Sequence, residues 1–223
     1  MPHKQKLRTV SLVDALSATL RTRVLDGLID PGVGLSENAV AEEYEVSRPT
    51  AQTAIALLVQ EGLLRREPHK SARVPVLSRA DVEDLFLVRI PLELGVISLL
   101  AGRHAEAAGA REAIDDLSRV APDQPPSVFV AADLGFHRAL VDAVGSPRLS
   151  RLYAALSGEI HLSMIQSRRA LGRDRIVGEH RAILEALDAG DGPAAERLMR
   201  AHLEGAASAL AAKLDEMSEA PQL

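Results

Sequence analysis

Apolar residues recur every fourth position at Leu12, Leu16, Leu20, Val24 and Leu28, the spacing of one helix face, with Ser11 placed to cap the N-terminus and Gly27 near the end. Asp30-Pro31-Gly32-Val33-Gly34 then reads as a turn. Ser36 opens a short second helix, about Glu37 to Tyr44, and Ser47 caps a third. Pro49 sits in the first turn of that third helix, and Ile55, Leu58, Val59 and Leu63 form its apolar side. A short helix, a tight turn and a longer helix predict a helix-turn-helix. From Leu63 to Pro75 the helical period disappears, and two short extended pieces around Pro68 predict a β-hairpin wing. Arg65, Arg66, Lys70 and Arg73 make that wing basic, suiting it to a phosphate backbone.

A second region opens at Leu77, where Ser78 and Asp81 have the spacing of a helix cap. Val82, Leu85, Phe86, Leu92 and Val96 continue one long helix, with Arg89 and Glu93 among them and Pro91 expected to kink it. Further helices are predicted over about 110–120, from a cap at Ser127 to Gly145, over 148–171, over 173–189 and from Pro193 to about Met217, with the last residues, 218–223, fraying. Six helices joined by short links make an antiparallel bundle. The expected fold is mostly α: a winged helix-turn-helix over residues 1–76, followed by an all-helical effector-binding and dimerisation domain over 77–223.

Composition agrees with this and narrows the chemistry. Aromatics are only 2% of a chain that is 47% hydrophobic, so the core is expected to be aliphatic. The absence of cysteine excludes disulfides, thiolate metal sites and cysteine nucleophiles. The basic, polar start does not resemble a signal peptide, and no apolar run looks long enough for a membrane span, so a cytoplasmic protein with no membrane partner is expected. Residues 1–75 carry 10 Lys/Arg against 9 Asp/Glu, whereas residues 76–223 carry 16 against 22. The wing's local positive charge therefore belongs to a part of the chain that is otherwise balanced.

Asp133 and His137 stand four residues apart on one helical face and can reach a single ion. Alone, the pair fits equally well a hydrogen-bonded couple or a solvated face. His180 and His202 change the balance. The Gly190-Asp191-Gly192 link forces their helices to run antiparallel, and each histidine lies about ten residues from it, which at about 1.5 Å per residue sets them at one height. Four ligands of this kind suit a divalent metal, and ligand type alone does not choose among Zn²⁺, Ni²⁺, Mn²⁺ and Fe²⁺, of which Zn²⁺ is the one expected. Arg89 is the candidate partner for a small carboxylate effector; its alternative is an ion pair with Glu93. His161 is expected in the core or behind the ligands, and His3, His69 and His104 at the surface.

The strings Leu35-Ser36-Glu37, Ala41-Glu42-Glu43-Tyr44-Glu45-Val46-Ser47-Arg48, Glu61-Gly62-Leu63 and Ala72-Arg73-Val74 resemble the winged-helix domain of the GntR family of bacterial regulators. Asp133-Leu134-Gly135-Phe136-His137, Glu179-His180-Arg181 and Ala201-His202-Leu203 resemble motifs of the FCD effector domain of its FadR subfamily, in a six-helix variant. The resemblance implies a transcription regulator rather than an enzyme: a homodimer on palindromic double-stranded DNA, with a divalent metal on Asp133, His137, His180 and His202 and the effector held by Arg89. The residues expected at DNA are Ser36, Ser47, Arg48, Thr50, Gln52, Arg65, Arg66, Lys70 and Arg73. The family's recognition helix usually begins Ser-Arg-Thr-Pro-Val-Arg-Glu-Ala, whereas this chain has Ser47-Arg48-Pro49-Thr50-Ala51-Gln52-Thr53-Ala54. Gln favours adenine edges where Arg favours guanine, so the family's operator should not transfer. A metal-dependent hydrolase or lyase is the alternative of another class, but it leaves the first 75 residues without a role. A purely structural metal site in a DNA-binding protein is the third.

Overall fold

Ser11, Ser36 and Ser47 are extended residues whose hydroxyls accept hydrogen bonds from the backbone N–H groups of Asp14, Ala39 and Thr50. Each satisfies a donor that a helix start leaves orphaned, worth about 1 kcal/mol. These caps begin α1 (Leu12–Leu25), α2 (Glu37–Glu43) and α3 (Arg48–Gln60) in the computed structural model, which describes residues 11–103, 107–167 and 172–219. Two compact units result, Met1–Pro75 and Val76–Leu223.

In the first unit α1 and α2 both pack on α3, burying Leu16, Leu20, Val24, Val40, Ile55 and Leu58. Leu12 and Leu28, the ends of the four-residue stripe, are exposed. The wing differs from the expected hairpin. Gly34–Leu35 (β1), placed before α2, pairs antiparallel with Ala72–Arg73 (β2), while Arg65 forms only a single bridge to Arg73 from the other side. Leu35, Ala72 and Val74 are buried, so the turn before α2 and the wing share one small core. The wing's tip turns at Glu67–Lys70, with exposed His69 in the left-handed region at φ 63°.

The second unit is six helices among the described residues: α4 (Arg79–Arg103), α5 (Ala108–Arg119), α6 (Pro126–Ala143), α7 (Pro147–Gln166), α8 (Arg173–Asp188) and α9 (Gly192–Glu219). Ser78 and Asp81 cap α4 reciprocally: the Asp81 carboxylate accepts from Ser78 N–H at 2.8 Å, and Ser78 Oγ accepts from Asp81 N–H at 3.2 Å. Pro91 lies inside α4 without interrupting it. Ser127 is not a cap. Helix α6 begins one residue earlier at Pro126, whose missing N–H costs nothing at a first helical position. Helix α4 packs along α9, and a Cβ on Gly192 would stand 2.9 Å from Ala101 Cβ, so the start of α9 needs glycine there.

Helix α4 corrects one expectation, because by length and composition it could cross a membrane. Its inner side belongs to the core of this unit, with Val82, Phe86, Val96, Ile97 and Leu100 buried together with an internal Arg89–Glu93 ion pair. His3, His104 and the expected fraying of 220–223 lie outside the described residues.

Candidate functional site

One turn apart on α6, Asp133 and His137 are both buried, facing the hairpin of α8 and α9. That hairpin closes through Gly190 at φ 73° and through Asp191, which accepts a hydrogen bond from Ala194 N–H at 2.9 Å. It brings buried His180 and His202 level with each other, as their equal distance from the link required.

The three imidazoles converge through the same atom. His202 Nε2 lies 3.3 Å from His137 Nε2 and 3.4 Å from His180 Nε2, and Asp133 Oδ1 lies 3.5 Å from His180 Nε2. The outer nitrogens face carboxylates: His137 Nδ1–H donates to Glu93 Oε2 at 2.6 Å, and His202 Nδ1–H to Glu179 Oε2 at 2.8 Å. Those bonds fix the tautomers of His137 and His202, and place the Nε2 lone pairs toward each other. Two such lone pairs at 3.3 Å, buried from water, repel each other until a proton or a metal ion stands between them. Nitrogens about 2.1 Å from a tetrahedral ion would be about 3.4 Å apart, which is the separation seen. Asp133 Oδ1 is buried without a hydrogen-bond partner, leaving it free to ligate. The residues therefore fit a divalent metal. His180 differs from the other two in that Nδ1 has no hydrogen-bond partner, and its ring is held by stacking on Phe136 at 4.0 Å.

Electrostatics favour the same state. Burial lowers the pKa of His137 against the opposing pull of Glu93, and lowers that of His180 strongly, with the neighbouring imidazoles adding to the effect. Neutral imidazoles are the ligand form. Burial alone would raise the Glu93 carboxyl, but Arg89 and His137 outweigh it and hold the pKa at about 2. The hydrogen bond from His202 lowers Glu179, opposed by partial burial and helped by Arg175 at 2.6 Å.

Arg89 stands behind this layer, 2% exposed, donating from Nε to Glu93 Oε1 at 2.6 Å. The ion pair given as the alternative for Arg89 is thus present, yet it uses only part of the guanidinium. Arg89 Nη2 and the nearby buried Tyr153 hydroxyl have no hydrogen-bond partner. Burial and the Glu93 charge push the Tyr153 phenol well above its ordinary range, which keeps it a donor. A cleft of about 370 Å³, lined by Asp174, Arg175, Gly178, Glu179, Leu198 and His202 among others, opens at the surface of α8 and α9 and touches the cluster at His202 alone of the three histidines. His161 is buried on α7 and is not one of the convergent group.

Glu93 and Glu179, in this role, and Tyr153 are the site residues that sequence reasoning missed. The positions of the two glutamates beside the ligand motifs were visible, but a helical Glu is ordinary until its tertiary partner is known.

On the first unit, Ser36 and Ser47 cap α2 and α3, while Arg48, Gln52 and Thr53 lie on the exposed side of α3. Thr50 is half-buried, its hydroxyl 2.8 Å from Ser47 Oγ. On the exposed wing Arg66 pairs with Glu37 at 3.0 Å and Lys70 with Glu67 at 2.6 Å, so phosphate would have to replace a carboxylate at each. Arg65 and Arg73 form the bridge between them, and both residues are exposed.

A winged helix joined to a helical bundle with a buried His/Asp cluster defines a class of bacterial DNA-binding regulators, and comparison with known proteins bears this out. Residues 12–74 match the gntR family of bacterial regulatory proteins and residues 84–205 the FCD domain. The chain is a GntR-family transcriptional regulator with an FCD domain, a pairing consistent with the FadR subfamily. A relative from Streptomyces ambofaciens, named "Uncharacterized HTH-type transcriptional regulator in unstable DNA locus", is 33% identical over 191 residues, covering 82% of this chain and 78% of its own. One from Paenarthrobacter nicotinovorans, named "Probable D-xylose utilization operon transcriptional repressor", is 29% identical over 182 residues, covering 81% and 80%. A solved GntR regulator from Rhodococcus sp. RHA1 superimposes with a TM-score of 0.78 at 25% identity, covering 89% of this chain and 96% of its own. These proteins regulate transcription, which sets aside the hydrolase or lyase alternative.

Proposed function

We propose that this regulator acts as a cytoplasmic homodimer, binds a palindromic operator through its winged helices, and senses a small carboxylate beside a metal centre in residues 77–223. The observation that carries the sensing half is one buried layer of three convergent imidazoles and an unbonded Asp133 oxygen, with Arg89 and its unbonded Nη2 behind it. Asp133, His137, His180 and His202 would hold the ion, Zn²⁺ first among Zn²⁺, Ni²⁺, Mn²⁺ and Fe²⁺, all of which this ligand set accepts. A divalent ion there supplies a Lewis-acidic position for a carboxylate oxygen. Arg89 and the Tyr153 hydroxyl would bind the remaining polar atoms of that ligand, and Glu93 keeps Arg89 charged and aimed. Glu179 orients His202 where that histidine borders the α8/α9 cleft.

The outward face of α4 supports the dimer. Leu87, Val88 and Leu99 are exposed there together with Pro91, Gly95 and Ser98, with no charged side chain between Asp84 and Arg103 on that side. A second copy of the same face would cover it in an isologous contact.

The DNA half is tested by gel shifts on the region upstream of the protein's own gene. Arg48→Ala is expected to weaken specific binding by about 5- to 100-fold while leaving the helical content unchanged. An unaltered affinity, or no sequence preference in the parent protein, would refute this half.

A further inference from the structure

We infer that Gln52 reads an adenine in each operator half-site, and that Arg48 reads a guanine within two base-pair steps of it. The inference rests on the DNA-binding reading above and goes beyond it by assigning base preference to two side chains. In a helix-turn-helix the N-terminal turns of the second helix present side chains to base edges in the major groove. Four polar side chains follow the Ser47 cap in those turns of α3: Arg48, Thr50, Gln52 and Thr53.

Hydrogen-bond accounting divides them. Thr50 Oγ1 is bonded to Ser47 Oγ at 2.8 Å, and that serine oxygen also accepts from Thr50 N–H at 3.2 Å, so both hydroxyls belong to the cap. Thr53 Oγ1 donates to Pro49 O at 2.9 Å, a bond back into the preceding turn that directs its hydroxyl along the helix. Arg48 and Gln52 are exposed, and among the described residues neither has a hydrogen bond or ion pair. They lie four positions apart on one face, about 6 Å along the axis. That span is just under two base-pair steps of about 3.4 Å each. Ala56, the next exposed residue on this face, offers only a methyl group, so polar readout ends at Gln52.

The chemistry of the two groups then assigns the bases. A side-chain amide carries one acceptor and a pair of donors, which matches the N6 donor and N7 acceptor of adenine. A guanidinium carries donors only and matches the O6 and N7 acceptors of guanine. A guanine at the Gln52 position would leave one of the two facing acceptors opposite the amide oxygen, which discriminates against it.

The test is selection of the full-length protein on randomised duplex DNA, followed by affinity measurements on the selected site and its single-base-pair variants. Wild-type sites should carry an adenine and a guanine within two steps in each half. Gln52→Ala should lose the preference at the adenine alone, with affinity for the selected site falling about 5- to 100-fold. Gln52→Arg should prefer guanine at that same position and keep the rest of the half-site. Both substitutions are at an exposed side chain without partners, and the unchanged positions of the half-site report that the domain is folded. A specific site whose base preferences are identical in all three proteins would overturn the assignment while leaving DNA binding intact. Absence of any sequence preference in the wild type would overturn both.

Discussion

Chelation of the wild-type protein should lower its melting temperature by on the order of 10 °C, and His180→Ala should start from the lower value and no longer respond to the chelator. The size follows from linkage. A ligand present at about a thousandfold over its dissociation constant stabilises the folded state by about 4 kcal/mol, and about 2–4 °C accompanies each kcal/mol in a chain of this size. The alanine variant also loses the stacked contact with Phe136, so its own melting point alone would not separate packing from ligation. The informative comparison is the shift on chelation, measured by differential scanning calorimetry. A wild type that melts identically with and without chelator would contradict the account, because the facing Nε2 lone pairs of His137 and His202 would then need another explanation.

The second large effect concerns the ion pair behind the ligands. Glu93→Leu leaves the Arg89 charge buried with no counter-charge within the pair, a loss of about 3–5 kcal/mol. It also removes the acceptor that orients His137. Replacing both partners, as Arg89→Met with Glu93→Leu, removes the charge as well as its partner and should recover much of that stability. Urea unfolding followed by far-UV circular dichroism distinguishes the cases. A single Glu93 variant within about 1 kcal/mol of the parent would show that the pair is dispensable.

Much of the fold was readable from local chemistry. The serine caps of α1, α2 and α3, the ends of α1 and α6 before Gly27 and Gly145, and the α8/α9 hairpin around Gly190 all follow from residues whose preference is strong at those places. The failures have physical causes. Strand β1 is two residues long, too short to show alternation, and its partner β2 is far along the chain, so no periodicity could reveal it. Ser127 had the right residue type for a cap, but Pro126 beside it was better suited to begin the helix. Helix α4 was legible as one long helix, but not as a run of span length, because Arg89 and Glu93 interrupt its apolar residues and neutralise each other inside it.

The candidate site divides along the same line. Asp133 and His137 share a turn, and His180 and His202 share a height set by a short link, so both pairs were legible from spacing. Their meeting in one layer is a tertiary fact that spacing made possible and the resemblance implied. Glu93 and Glu179 were illegible as partners of His137 and His202, since contacts between different helices leave no trace in the period of either. The ion pairs of Arg66 and Lys70 were hidden for a similar reason. A basic count along the wing shows charge, but not the carboxylates of Glu37 and Glu67 that already meet it.

The central claim is that the three histidines and Asp133 form a metal site on which the sensing function is built. Elemental analysis of protein purified without an affinity tag or chelator tests it most directly. Near one divalent metal per chain is expected in the wild type and almost none in an Asp133→Ala/His137→Ala variant that keeps its helical circular dichroism. A folded wild type that carries no metal and takes up none on dialysis against Zn²⁺, Ni²⁺, Mn²⁺ or Fe²⁺, or a variant that retains the full complement, would contradict it.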